Sequence, residues 1–229
     1  ISLDNRYYNL CGIDEDELRG VLTPYVQRLA SVQKISLDKA YSELKRNYDG
    51  YHFSEDAPGM YNPFSVLNTL DNLKFGSYWF ETGTPSYLVE LMQDQDMKLW
   101  NITKKLVSSD VLNSVDIATT EPISVIFQSG YLTIKGYKNE YDGYLLGFPN
   151  EEVKRGFLRY LIPRYTSVRP SDTAFEIESF VEEVRGGDIS GFMKRLKSFF
   201  ANTPYDLIKD TENHYQNVLF ILCNLCGLY

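Results

Sequence analysis

Three times before residue 123, a proline follows a residue able to begin a helix: Asn62-Pro63, Thr84-Pro85 and Glu121-Pro122. At the first helical position, proline gives up only an amide that would have no partner there, and its φ is already set for the helix. Asn62 and Thr84 can also cap with a side-chain oxygen. No strand–helix–strand alternation surrounds these starts, so the chain reads as mainly α with a small β-hairpin.

Other segments agree. "IDEDELRGVLTPYVQRLASV" opens with Asp14 as cap and Glu17 at the capping-box position, and Leu18, Val21, Leu22, Tyr25, Val26 and Leu29 recur at helical spacing. This predicts one helix, kinked at Pro24. A second helix starts at Ser36, buries Leu37, Ala40, Tyr41 and Leu44, and ends where Gly50 offers a left-handed cap. "AFEIESFVEEVRGG" and "ISGFMKRLKSFF" read as an antiparallel pair. Thr211 caps a last helix, with Tyr215, Val218, Leu219, Leu222 and Leu225 on an apolar face.

The β signal lies in "YLTIKGYKNEYDGYLLGF". Residues 131–135 alternate, Asp142-Gly143 has turn chemistry, and residues 144–148 return. A short helix precedes this hairpin, and a helix capped by Asn150 follows it. The order suggests a winged-helix-like unit, or a hairpin packed on helices.

Composition excludes several classes. With 229 residues, 43% of them hydrophobic, the chain can bury a core, and a net charge of −8 argues against a generally cationic nucleic-acid binder. No apolar run reaches the roughly 18 residues of a membrane span. Three cysteines and no leader-like start point to a reducing cytoplasm. A chain that begins at Ile1 and stops at Tyr229, just after an apolar segment, is expected to be part of something longer.

The chemistry is sparse. GxxxxGK[ST] is absent, so no phosphate cradle is expected. His52 and His214 lie outside any nucleophile signature. Cys223 and Cys226 spell CxxC inside an apolar helix without a second pair, which favours packing over metal or redox chemistry. Lys154, Arg155, Arg159, Arg164 and Arg169 form a basic island in an acidic chain. It suits phosphate contacts, with Lys154, Arg155 and Arg159 as the nucleic-acid candidates, or simply a helix dipole with acids first and bases later. "YDGYHFSEDAPGMYNPFS", residues 48–65, crowds aromatics, His52, glycines and prolines together, as an active-site loop, a ligand clamp or a connection between helices would.

Together, "CGIDEDEL", "YDGYHF", "YNPFSVLN", "YWFETGTPSYL", "FQSGYLTI", "LGFPNEEVKRGF", "PYD" and "ENHYQNVL" resemble, in order and over almost the whole chain, the bacterial AAA-ATPase-like proteins fused to a PD-(D/E)XK nuclease-like domain. The resemblance implies Walker motifs upstream and a nuclease core downstream, both missing from this sequence. Only Glu212 is carried over from the nuclease pattern, and one carboxylate cannot hold a metal. Gly83-Thr84-Pro85 resembles the Gly-x-Pro start of a lid helix whose proline packs on adenine, although a capped helix start needs no such role. The resemblance makes residues 48–65 a rigid connection into the lid, with Tyr48, Tyr51, Phe53 and Tyr61 packed. His52 is then bonded locally or senses a nearby phosphate.

The implied division is a helical lid over 1–115, a winged-helix-like unit over 116–170, linker helices over 171–210 and the start of the nuclease-like domain over 211–229. ATP with Mg²⁺ would be bound by the intact parent and no cofactor by this chain alone. Its partners would be the missing parts of the same polypeptide, nucleic acid or a second copy of the chain. The rival reading is a self-contained module binding protein or nucleic acid.

Overall fold

In the computed structural model, residues 5–81, 88, 90–92, 97–113, 121–201 and 211–228 are described. The chain divides into two compact units, residues 1–84 with 103–154, and residues 85–102 with 155–229. Neither coincides with one of the four segments expected from the sequence.

The first unit opens with α1 (Glu15–Arg19), α2 (Thr23–Gln33) and α3 (Leu37–Tyr48). Asp14 and Glu17 form the expected capping box. The single kinked helix expected here is instead two, since Pro24 falls in the first turn of α2, where a proline starts a helix rather than bending one. Ser36 accepts from Lys39 N–H to cap α3. Asn62 accepts from Ser65 N–H to cap α4 (Pro63–Asn72), as the Asn-Pro pair predicts. A short α5 (Tyr78–Glu81) follows. Leu18, Val26, Leu29, Ala40, Tyr41, Leu44, Tyr48, Tyr61, Val66 and Leu70 form one buried core.

The same unit carries β1 (Leu106–Val107), α6 (Ser109–Leu112), α7 (Pro122–Gln128), β2 (Thr133–Lys138) and β3 (Gly143–Gly147). The sheet is antiparallel in the order β1-β3-β2. Strand, helix, helix and hairpin follow in that order, and the first strand pairs with the last. Two-residue β1 is too short to show alternation, so the sequence displays only the hairpin. The hairpin turn also differs from expectation: Asn139–Tyr141 form a 3-10 turn, and Asp142, not Gly143, takes the left-handed conformation at φ 45°. Asp142 accepts a hydrogen bond from the Tyr137 hydroxyl.

Between Ile134 and Gly136 the register shifts, leaving Lys135 as an unpaired bulge residue. Its ammonium donates to the carbonyls of Pro149 (3.2 Å) and Gly50 (3.4 Å). Gly50 has φ +102°, and a Cβ there would lie 2.3 Å from the Pro149 oxygen. That crossing needs glycine for both conformation and space. The cap of α3 is therefore Asp49, in extended conformation, rather than Gly50. Helix α8 (Glu151–Tyr165) starts in this unit, where Asn150 accepts from Val153 N–H as expected. Its buried Glu152 carboxylate accepts from the Ser65 hydroxyl (2.7 Å) and Trp79 N–H (2.9 Å).

The second unit holds the rest of α8, α9 (Thr173–Arg185), α10 (Ile189–Ala201) and α11 (Thr211–Leu225). Gly186-Gly187-Asp188 joins α9 to α10, and Phe180 meets Phe192 and Phe199 edge to face. Arg195 donates to Glu183 (2.7 Å) and Glu176 (3.4 Å) across the pair. On α11, Val218, Ile221 and Leu222 are buried, while Tyr215 and Leu219 stay exposed. Asn217, also on α11, clasps an upstream turn: its Oδ1 accepts from Leu99 N–H (2.8 Å) and its Nδ2 donates to Met97 C=O (3.0 Å). Helix α11 belongs to this compact unit.

Candidate functional site

The chain from Tyr48 to Ser65 is tied down at nearly every step. The Tyr48 hydroxyl donates to Gly76 C=O (2.9 Å) and accepts from Gly76 N–H (3.0 Å) at the end of α3. Tyr51 and Met60 exchange backbone hydrogen bonds, closing residues 52–59 into a loop. Within it, the His52 ring pairs through Nδ1 with Ala57 C=O (2.9 Å). The His52 backbone exchanges bonds with the Thr133 hydroxyl of β2, donating N–H (2.7 Å) and accepting at C=O (3.0 Å). Tyr61 pairs with Ile13, and its hydroxyl donates to Glu15 (2.7 Å).

Electrostatics reinforce that anchor. Burial pulls the Glu15 carboxyl upward, but hydrogen bonds from Tyr61 and Arg19, with the charges of Lys45 and Arg19, outweigh it and hold the acid below its ordinary range. Burial pushes the Tyr61 phenol up, and the Glu15 charge adds to the effect.

The anchored stretch lines an open groove of about 480 Å³. Tyr51, Phe53 and Tyr61 come from the loop and its exit, Asn62, Pro63 and Phe64 from the start of α4, Trp79 from α5, and Gln128, Ser129 and Gly130 from the end of α7; Cys11 also lines it. Phe53 and Phe64 are 40% and 46% exposed. Trp79 is held edge-on by Tyr131 at 5.0 Å. Burial drives the Tyr51 phenol upward, and its hydroxyl makes no hydrogen bond although it lies beside Asn62. Among the described residues lining the groove, none is charged.

The groove joins five of the segments that carry the family resemblance: "CGIDEDEL", "YDGYHF", "YNPFSVLN", "YWFETGTPSYL" and "FQSGYLTI". Nothing in local pattern shows that Trp79 and Gln128 to Gly130 meet residues 51–64. The signal was the shared aromatic and glycine content of separate motifs.

The other predicted residues fare differently. Gly83, Thr84 and Pro85 lie outside the described residues. His52 has its Nδ1 committed to the loop backbone, which fits the local role. Lys154, Arg155 and Arg159 sit on α8, half-buried in the first case and exposed in the other two, and Arg155 already has a partner. The helix before the hairpin, α7, carries no cation: Ile123, Ser124 and Ile126 are buried, Ser124 donates to Val111 C=O, and Gln128 donates to Leu112 C=O. Glu212 accepts from Gln216 at the start of α11. Cys223 and Cys226 are free, and burial pushes both thiols up, away from the thiolate a metal requires. Among the described residues, no group of three or more His, Cys, Asp or Glu side chains is placed to hold a metal ion. Nor is any helix among them long and apolar enough to cross a membrane.

Compared with known proteins, the chain is 28% identical over 227 residues to an Azotobacter chroococcum mcd 1 protein described as an uncharacterized protein in the vnfD 5′ region. That match takes in 96% of this chain and 42% of the relative, so the chain spans less than half of the relative's length. No family model and no solved structure matches the chain.

Proposed function

We propose that this chain is a noncatalytic segment of a longer AAA-ATPase-like polypeptide, comprising a helical lid, a winged-helix-like unit and linker helices. The rest of that polypeptide binds ATP with Mg²⁺ in a reducing cytoplasm and carries a nuclease-like domain. The observation that carries the reading is the coverage: nearly all of this chain aligns with only 42% of a relative. The ordered motifs from "CGIDEDEL" to "ENHYQNVL" support the family resemblance, and the lack of GxxxxGK[ST] in this sequence supports the division of labour. A phosphate cradle requires glycine amides, a lysine and a hydroxyl at fixed spacing, and these belong upstream.

Titration of Mg²⁺–ATP into the full-length polypeptide and into this chain tests the proposal. Saturable binding by the full-length protein and none by the chain is expected. ATP binding by the chain alone, or no binding by the full-length protein, overturns it.

A second reading, a protein-binding module, is favoured by the groove. An uncharged surface walled by Tyr, Phe and Trp suits a polypeptide partner and offers a phosphate backbone no counter-charge. The two readings are compatible if the partner is another part of the same polypeptide.

A further inference from the structure

His214 sits one helical turn before Asn217 on α11 and is 4% exposed. Its ring lies 6.1 Å from that of Tyr165, tilted by 32°, and 5.9 Å from that of Tyr215. Nε2 is buried and has no hydrogen-bond partner. A neutral imidazole already loses one solvent hydrogen bond in such a place, and an imidazolium would lose the solvation of a full charge as well.

Among the described residues, the titratable groups whose rings meet that of His214 are the phenols of Tyr165, on α8, and Tyr215, on α11 itself; phenols ordinarily titrate near pH ~10, far above histidine. Burial alone lowers the His214 pKa, and among the described residues no carboxylate of α8, α9, α10 or the Leu99–Asn101 turn contributes to it. Protonation therefore favours any state in which the ring reaches water. Three residues along the helix, Asn217 holds Leu99 N–H and Met97 C=O. A helix that moves to hydrate His214 carries the Asn217 amide with it, and a hydrogen-bond pair at 2.8 and 3.0 Å tolerates little movement.

We propose that His214 is an acid-sensitive latch: its protonation loosens α11 and releases the turn at residues 97–99 from Asn217. The inference needs neither the ATPase-like parent nor the groove.

Amide hydrogen exchange, corrected for the intrinsic effect of pH, tests it between pH 7.5 and 5.0 in wild type and His214→Phe. In wild type, protection of the Leu99 amide should fall up to about tenfold per pH unit once the pH is below ~6.5, since one proton is taken up on opening. Leu44, in the core of the first unit, should keep its protection. In His214→Phe, the Leu99 amide should lose its pH dependence. Constant Leu99 protection in wild type, an equal loss at Leu44, or a pH dependence that survives in the variant overturns the latch. Should the variant fail to fold, the ring of His214, one of two histidines, can be followed by NMR in the wild type. A Leu99 amide shift that changes with the same midpoint supports the latch, and an imidazole that titrates while that amide stays unmoved overturns it.

Discussion

The two histidines sit in opposite circumstances. His52 lies in a loop crowded with aromatics, glycine and proline, and every visible tie is satisfied: its ring pairs with Ala57 and its backbone with Thr133. His214 lies in an ordinary amphipathic helix, buried, with Nε2 unpartnered. The region that looks chemical in the sequence is locked, and the one that looks structural holds the unresolved polar group. Local density of unusual residues therefore reports rigidity here as much as chemistry. Four substitutions break or sharpen that contrast.

The largest effect is expected in the locked region. Gly50→Ala places a Cβ 2.3 Å from the Pro149 oxygen at φ +102°. Urea unfolding should show a loss of about 3 kcal/mol or more. An unchanged midpoint would mean that residues 48–65 are held far less tightly than their hydrogen bonds indicate.

Next comes the clasp in the second region. Asn217→Ala leaves the Leu99 amide and Met97 carbonyl without their partner in a buried setting, so a loss of about 2–3 kcal/mol is expected in the same measurement. A loss below ~0.5 kcal/mol would show that water replaces the asparagine and that α11 is only loosely docked.

A smaller, pH-dependent effect separates the histidines. The folded-state pKa of His214 is depressed, so the unfolded chain binds more protons. Its share of stability is complete above the unfolded value of about 6.5 and is lost as pH falls toward the folded value, by at most ~1.4 kcal/mol per unit. The wild-type stability difference between pH 7.5 and 5.5 should exceed that of His214→Phe. Equal differences would place the titrating group elsewhere.

The smallest effect belongs to the groove. Phe64 is 46% exposed, so Phe64→Ala should shift stability by less than about 1 kcal/mol in thermal melting. A larger loss would make the groove's rings part of the core and remove the case for a binding surface.

Local signals were legible wherever a hydrogen bond closes within a few residues. The Asp14–Glu17 box, the Asn62 and Asn150 caps and the proline starts of α4 and α7 all follow from neighbours three or four positions apart. Errors arose where competition was non-local. Pro24 reads equally as a kink or a start until α1 is seen to stop at Arg19. Gly50 reads as a helix cap, but the demand on it comes from Pro149, almost a hundred residues away.

The sequence by itself determined that the chain is mainly helical, where most helices begin, and that one hairpin interrupts them, because capping geometry and hydrophobic period are short-range properties. Only the tertiary structure decided that β1 joins the sheet, that Lys135 bulges over Gly147, that five separate segments line one uncharged groove, and that Asn217 rather than a backbone strand holds residues 97–99. Each of those is a pairing between distant residues. Its free energy depends on which groups are desolvated together, and that is set by the packed fold rather than by any window of sequence.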